Sequence, residues 1–411
     1  MVCLLVYELN NPLWIGVEKR EHKTVGIFGY DKVDDILLFE QLEKINTFAV
    51  VVDKRGRIHA MADDGSSRFY SWSDTGGIDW SPPVTVAESL SSSRSGDDIQ
   101  LAVKDQQLIV VWKDKGEFPG WGRAQMAISN DAGKNWSLSE NPVGGDAGHN
   151  QGYFNLLADK DSFHFMWLDD RGETGASQQL RHAVSNDGFD WREDQLIDGD
   201  ACTCCGLSSR QFGNDLLVLY RSIEPRDMKM AIYEMAGKNI KKGTSGWRDG
   251  GRVGEFDWAF TGCPHQGGSL AITGQGSTAV IHSAVWTGRN GMIGLHYLVS
   301  MNGGISWKYR GQIGAAGSGN VHMETVNDQV VIAWHELVGH QHYINVVTMS
   351  AEGLQQTKRH KEINHYSYPR TVIHKDTAKL FWLEKGQRGR AGLKVIAVDT
   401  GFNKTDVGDM L

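Results

Sequence analysis

From about residue 45 onward the chain repeats one pattern of apolar and polar positions. A turn leads into a short apolar run, and a following run ends on an aromatic residue and then a polar one. The endings read Trp112-Lys113, Trp167-Leu168-Asp169-Asp170-Arg171, Tyr220-Arg221, Trp286-Thr287, Trp334-His335-Glu336 and Trp382-Leu383-Glu384, with Ile58-His59-Ala60-Met61 at the front. Short apolar runs bounded by turn signals are strands. Seven such units begin near residues 45, 96, 148, 202, 262, 318 and 363. Units of roughly 40–50 residues, each a four-stranded sheet, are what a propeller blade requires. The pattern predicts an all-β fold, a β-propeller of seven four-stranded blades, with six as the alternative count. Residues 45–411 would form this single domain, and residues 1–44 an outer strand closing the ring plus a short helix around Asp34–Leu42.

A second motif runs in phase with the first. Ser129-Asn130-Asp131-Ala132-Gly133-Lys134-Asn135-Trp136 has degenerate copies at Ser73–Trp80, Ser185–Trp191 and Ser300–Trp307, and a remnant ends at Trp247. The closing tryptophans at 80, 136, 191, 247 and 307 step by 56, 55, 56 and 60 residues, too regular a register for chance. In such a turn the Asp accepts backbone hydrogen bonds, Gly takes a positive φ and Trp packs between sheets. The motif resembles the Asp box of sialidase-like propellers, and its role there is structural.

Composition narrows the class. Gly is abundant at 49 residues, Pro scarce at 8, and Trp reaches 14, which suits a large all-β protein with tight turns. A net charge of −8 without a basic cluster argues against a nucleic-acid partner. No stretch approaches the ~18–20 apolar residues of a membrane span, so no membrane partner is expected. The opening Met-Val-Cys-Leu-Leu-Val lacks the features of an export signal, whereas the family resemblance implies an exported bacterial protein.

In a propeller the turns that feed the innermost strands line one mouth of the central channel. Here those turns hold Arg94 with Asp97 and Asp98, His149-Asn150, Cys202-Thr203-Cys204-Cys205, Cys263-Pro264-His265, Asn320-Val321-His322 and Tyr366-Ser367-Tyr368-Pro369-Arg370. Four of the five cysteines fall in two of these turns. Three thiols and an imidazole from adjacent blades suit zinc or copper(I). A disulfide between two of the thiols, or inert packing of small residues, fits the same positions. Arg94, His322, Tyr368 and Arg370 are the candidates for contacting a substrate. His164, alternating with Phe163 and Phe165, reads as a satisfied strand residue.

The His149-Asn150 opening followed by Asp169-Asp170-Arg171 resembles sialidase-superfamily propellers that cleave uronate polysaccharides, the ulvan and rhamnose–glucuronate lyases. In those, a second His, then a Tyr in the next blade and an Arg beyond it complete the site. His149 and Arg221 match; Asp169 stands where the second His would be and Cys205 where the Tyr would be. A group of bacterial sialidase-like chains shares the Cys-x-Cys-Cys and Cys-Pro-His motifs. The resemblance implies an enzyme cleaving an acidic glycan, with His149, Asn150, Asp169, Arg171, Tyr220 and Arg221 as the catalytic set. The cluster Cys202, Cys204, Cys205, Cys263 and His265 would hold the metal. Arg171 and Arg221 would neutralise a uronate carboxylate during β-elimination, whereas hydrolysis would need two carboxylates, for which Asp97, Asp98, Asp169 and Glu324 are available. A non-catalytic propeller that binds metal or docks a partner, and an exo-sialidase, are the alternatives.

Overall fold

The computed structural model describes residues 37–39, 42, 44–93, 97–118, 120–139, 150–171, 177–234, 246–350, 354–363, 367–385 and 391–398. Seven four-stranded antiparallel sheets are present, six of them built from four consecutive strands. The second strand of each sheet explains the apolar runs. Phe163–Asp169 and Ile58–Asp63 are buried along their whole lengths, because each lies between two neighbouring sheets and has no solvent face. The aromatic residues ending these strands are buried as well except the half-buried Trp286, with Trp112, Trp167 and Trp382 almost wholly enclosed.

The seven innermost strands are Thr47–Val52, Ile99–Lys104, Gln151–Ala158, Ser208–Phe212, Gly268–Thr273, Ser318–Val326 and Arg370–His374. Each packs on the next, and Thr47–Val52 packs on Arg370–His374, so the ring closes. Their starts fall within seven residues of the seven expected unit starts, the widest gap being 370 against 363. The seventh blade is completed from the front of the chain, where Leu37–Leu38 pairs with Ala391–Val398 as its outer strand. This strand and the turn at Phe39 occupy the segment expected to be helical around Asp34–Leu42. Pairing with the exposed edge satisfies backbone groups that one more helical turn would leave on the sheet margin.

The tryptophan turns join the third and fourth strands of blades one, two, three and five. In the second blade Ser129 Oγ accepts from Gly133 N–H at 2.9 Å, Asp131 accepts from Asn135 N–H at 2.9 Å, and Trp136 Nε1 donates to Gly133 O at 3.1 Å. The Ser–Gly bond recurs at Ser73–Gly77, Ser185–Gly188 and Ser300–Gly304. Gly133 is obligatory for two reasons. Its φ is +89°, and a Cβ there would lie 2.0 Å from the Tyr70 ring of the preceding blade. These turns are therefore blade-to-blade contacts as well as hairpins.

Candidate functional site

All seven inner strands line a central cavity of about 460 Å³, within the roughly 300–1,000 Å³ range of small-ligand pockets. Its wall mixes aliphatic and polar side chains, and four charged side chains line it in two pairs. Arg210 in the fourth blade reaches Glu324 in the sixth at 2.8 Å and also donates to Met323 O at 2.6 Å. Arg370 in the seventh blade faces Asp97 at the entrance of the second at 3.4 Å. Each pair skips the blade between its partners. The fifth blade allows this because its inner strand begins with Gly268 and Ser269, leaving the guanidinium of Arg210 room to pass.

The cavity shifts the acid–base character of its groups. Burial is the largest effect on Asp97 and raises its carboxyl to about 6, with Arg370 opposing the shift and Asp98 adding to it. Glu324 is raised by burial against the pull of Arg210. His322 is driven well below its usual value by burial and by the charges of Arg370 and Arg210. Its Nδ1 accepts the Thr371 backbone N–H at 3.2 Å and lies 2.9 Å from Thr371 Oγ1. A neutral ring with Nδ1 accepting carries its proton on Nε2, so His322 acts as a donor. Tyr153 is raised well above its ordinary value by burial and the neighbouring thiols. Both Tyr153 and Asn320 have positive φ, 53° in each case, at bulges in their inner strands. A bulge re-aims the side chains beside it, and here it turns the mouth of the channel polar.

The four described cysteines gather on one wall of that mouth. Cys202, Cys204 and Cys205 are buried and mutually close, with Cys202 Sγ 3.7 Å from Cys204 Sγ and 3.3 Å from Cys205 Sγ. Cys204 also groups with Cys263 and His265, their ligand atoms all within 4.8 Å of one another. No disulfide links the described cysteines. Hydrogen bonds from the Cys204 and Cys205 thiols, with Arg226 beside it, favour the thiolate of Cys202, while Cys204 and Cys205 are held as thiols. Arg226 NH1 donates to Cys202 Sγ at 2.9 Å and its Nε to Phe260 O at 3.1 Å.

The remaining sequence candidates divide. Arg370, Tyr368, His322 and His265 line the cavity. Arg221 does not. It is sealed behind the wall, donating to Gln266 O at 2.9 Å, to Trp286 O at 2.8 Å and to Arg226 O, with its guanidinium 5.2 Å over the Trp258 ring. Arg221 holds the loop carrying His265 and is sealed away from any substrate carboxylate. Arg171 is occupied by Asp169 at 3.0 Å and by Asp194, and Asp169 is itself fully buried, accepting from Trp167 Nε1 at 2.9 Å. Tyr220 donates to Asp198 at 2.6 Å from a buried position. Asn150 caps an inter-blade turn, accepting from Gly122 N–H and, through its carbonyl, from Asp170 N–H. His149 and Arg94 lie outside the described residues. The expectation that Arg171 and Arg221 face one mouth with His149 is thus corrected for both arginines. Arg221 ends a second strand and Arg171 lies two residues beyond one, and neither lines the cavity, which is walled by first strands. The residue missed was Arg210: it sits mid-strand, where no turn or motif marks it.

No protein-family model and no curated protein sequence matches the chain. Solved structures resemble it at low identity. An α-L-arabinanase of Penicillium chrysogenum complexed with arabinobiose shares 11% identity over 88% of this chain and 96% of that one, with a TM-score of 0.47. A Trypanosoma rangeli sialidase in complex with an inhibitor shares 12% over 87% of this chain and 55% of its own, at 0.48. The six-bladed, fucose-recognising lectin of Aleuria aurantia shares 12% over 90% and 99%, at 0.44. Similarities at this level assign neither substrate nor activity to the chain.

Proposed function

We propose that the protein is a carbohydrate-active enzyme that cleaves an acidic glycan in the central channel, using Asp97 and Glu324 as its two carboxyl groups. The observation that carries this is the pair of arginine–carboxylate bridges across one cavity, Arg210–Glu324 and Arg370–Asp97. Glycoside cleavage asks for one carboxyl held protonated and one ionised. Asp97, raised to about 6, suits the acid, and Glu324, with the closer guanidinium, suits the base or nucleophile. Protonating Asp97 also releases Arg370 to bind a uronate or sialate carboxylate, for which a planar guanidinium is the fitting partner. His322 Nε2–H, neutral throughout this range, offers a hydrogen bond to a sugar hydroxyl.

This reading moves the chemistry from the expected lyase set to the channel itself. A lyase centred on His149 would leave an unsaturated uronate, whereas the carboxyl pair adds water. Digestion of uronate polysaccharides and sialosides, followed by reducing-end and ultraviolet assays, separates the two. Asp97→Asn should lower turnover roughly 10²- to 10⁴-fold, the usual worth of a general acid. Turnover of the parent should fall as pH rises through about 6, since Asp97, facing Arg370 and Asp98, then loses its proton. A product with an ultraviolet-absorbing double bond, or full activity in the Asp97 variant, would reject the carboxyl-pair mechanism.

A further inference from the structure

The Cys–His wall is independent of the carboxyl pair, and its two groups of donors are not equivalent. Cys202, Cys204 and Cys205 form a buried set whose first member already carries the Arg226 guanidinium on its sulfur at 2.9 Å. A cation placed there would sit against a fixed positive charge. Cys204, Cys263 and His265 form the outer set, sharing only Cys204 with the inner one. Cys263 is half-buried and His265 is exposed and lines the channel cavity, so an ion can enter from that side.

The loop bearing the outer donors is built for fixed geometry. His265 has φ +52°, a left-handed conformation that a non-glycine residue holds only where its surroundings enforce it. The enforcement is visible. The next carbonyl, Gln266 O, is held by Arg221 Nε at 2.9 Å, and a Cβ on Gly267 would stand 2.9 Å from Gly206 O in the cysteine loop. The two loops are therefore in backbone contact, and the buried arginine of the fourth blade fixes the imidazole of the fifth. Tetrahedral zinc with bonds of about 2.3 Å to sulfur and about 2.0 Å to nitrogen holds its donors roughly 3.5–3.8 Å apart. Donor atoms all within 4.8 Å need only a small closure to meet that.

We infer that Cys204, Cys263 and His265 bind one zinc ion at the channel mouth, with the fourth coordination position open toward the cavity. A two-cysteine, one-histidine set with a vacant fourth position is a zinc arrangement that admits an exogenous ligand. Arg221 acts here as a positioning residue for the zinc site.

The test uses the full chain, reduced with a phosphine and freed of metal, then titrated with zinc and with cobalt(II). One equivalent should bind per chain, and the cobalt form should show thiolate-to-metal charge-transfer absorption that added imidazole perturbs. Cys263→Ser and His265→Ala are substitutions at accessible positions and should fold like the parent by circular dichroism. Each should weaken zinc binding by more than the roughly 10- to 100-fold that loss of an outer-shell partner costs, while Cys205→Ser keeps the stoichiometry. Absence of binding by the reduced parent, or binding unchanged in Cys263→Ser and His265→Ala, overturns the site. Loss of binding in Cys205→Ser overturns the outer assignment, and a cobalt spectrum insensitive to imidazole overturns the open position. None of these readouts depends on glycan turnover, so they stand or fall separately from the channel reading.

Discussion

Arg221 and Arg210 come from the same blade and have opposite lives. Arg221 ends a second strand, stacks on Trp258 and spends its donors on three backbone carbonyls. Arg210 lies on the inner strand eleven residues earlier, faces a cavity, and holds one carboxylate and two carbonyls. The same contrast runs through the histidines. His182 is sealed between blades in a relay whose proton positions are fixed by its ends. Trp247 Nε1 donates to His182 Nδ1 at 3.1 Å, so His182 Nε2–H faces His164 Nδ1 at 3.0 Å, and His164 Nε2–H faces Asp159 at 3.1 Å. His322, in the channel, keeps its Nε2 proton for whatever enters. Polar groups between the blades are there to satisfy one another. Polar groups on the inner strands remain available for chemistry.

The contrast is sharpest in stability. Arg221→Ala should cost about 3–5 kcal/mol, because three carbonyls lose their donor at a buried position. Arg221→Lys should recover little of it, since a single ammonium does not reproduce a planar fork. Chemical denaturation of both variants measures this, and a parent-like midpoint for Arg221→Ala would break the comparison at its strongest point.

Acid titration probes the interior histidines together. Burial holds His59 at about 4 against a usual 6.5, and lowers His164, with a larger drop at His182. The unfolded chain takes up these protons first as pH falls. The stability they confer is therefore complete above pH 6.5 and is lost as pH falls below it, for His59 down to about 4. His59 alone accounts for about 3 kcal/mol of that loss, at ~1.4 kcal/mol per unit. Melting temperature recorded across this window should drop steeply, and His59→Gln should flatten the slope. An unchanged slope would mean that the ring is not kept neutral by burial.

The smallest stability effect belongs to the channel. Arg210→Ala should change stability by no more than about 1 kcal/mol, the worth of a partly exposed ion pair. Glycan affinity should suffer far more, as isothermal titration with an acidic oligosaccharide would show. Equal losses in stability and affinity would erase the distinction between the two arginines.

Much of the fold could be read directly from the residues. The tryptophan register, the six aromatic-ended runs and the front run Ile58–Met61 mark the blades and their boundaries, because a strand packed on both faces must be apolar throughout and a tight turn must have Gly at one place. The same reading located the polar mouth, since His and Cys cluster where inner strands begin. It could not tell which arginines face the channel. Arg171 and Arg221 follow conspicuous aromatic endings and so attract notice, yet those endings lie between blades. Arg210 carries no such mark.

The reason is geometric. Sequence patterning reports the two faces of a strand, and an inner strand of a propeller has a third side, its open edge and mouth, that only ring closure creates. Residues 210 and 324, or 97 and 370, become partners because the ring curves until blades two apart meet across its axis. Composition and spacing along the chain determined that there would be a ring of blades and a polar entrance. Which side chains meet in the middle was decided by the tertiary structure alone.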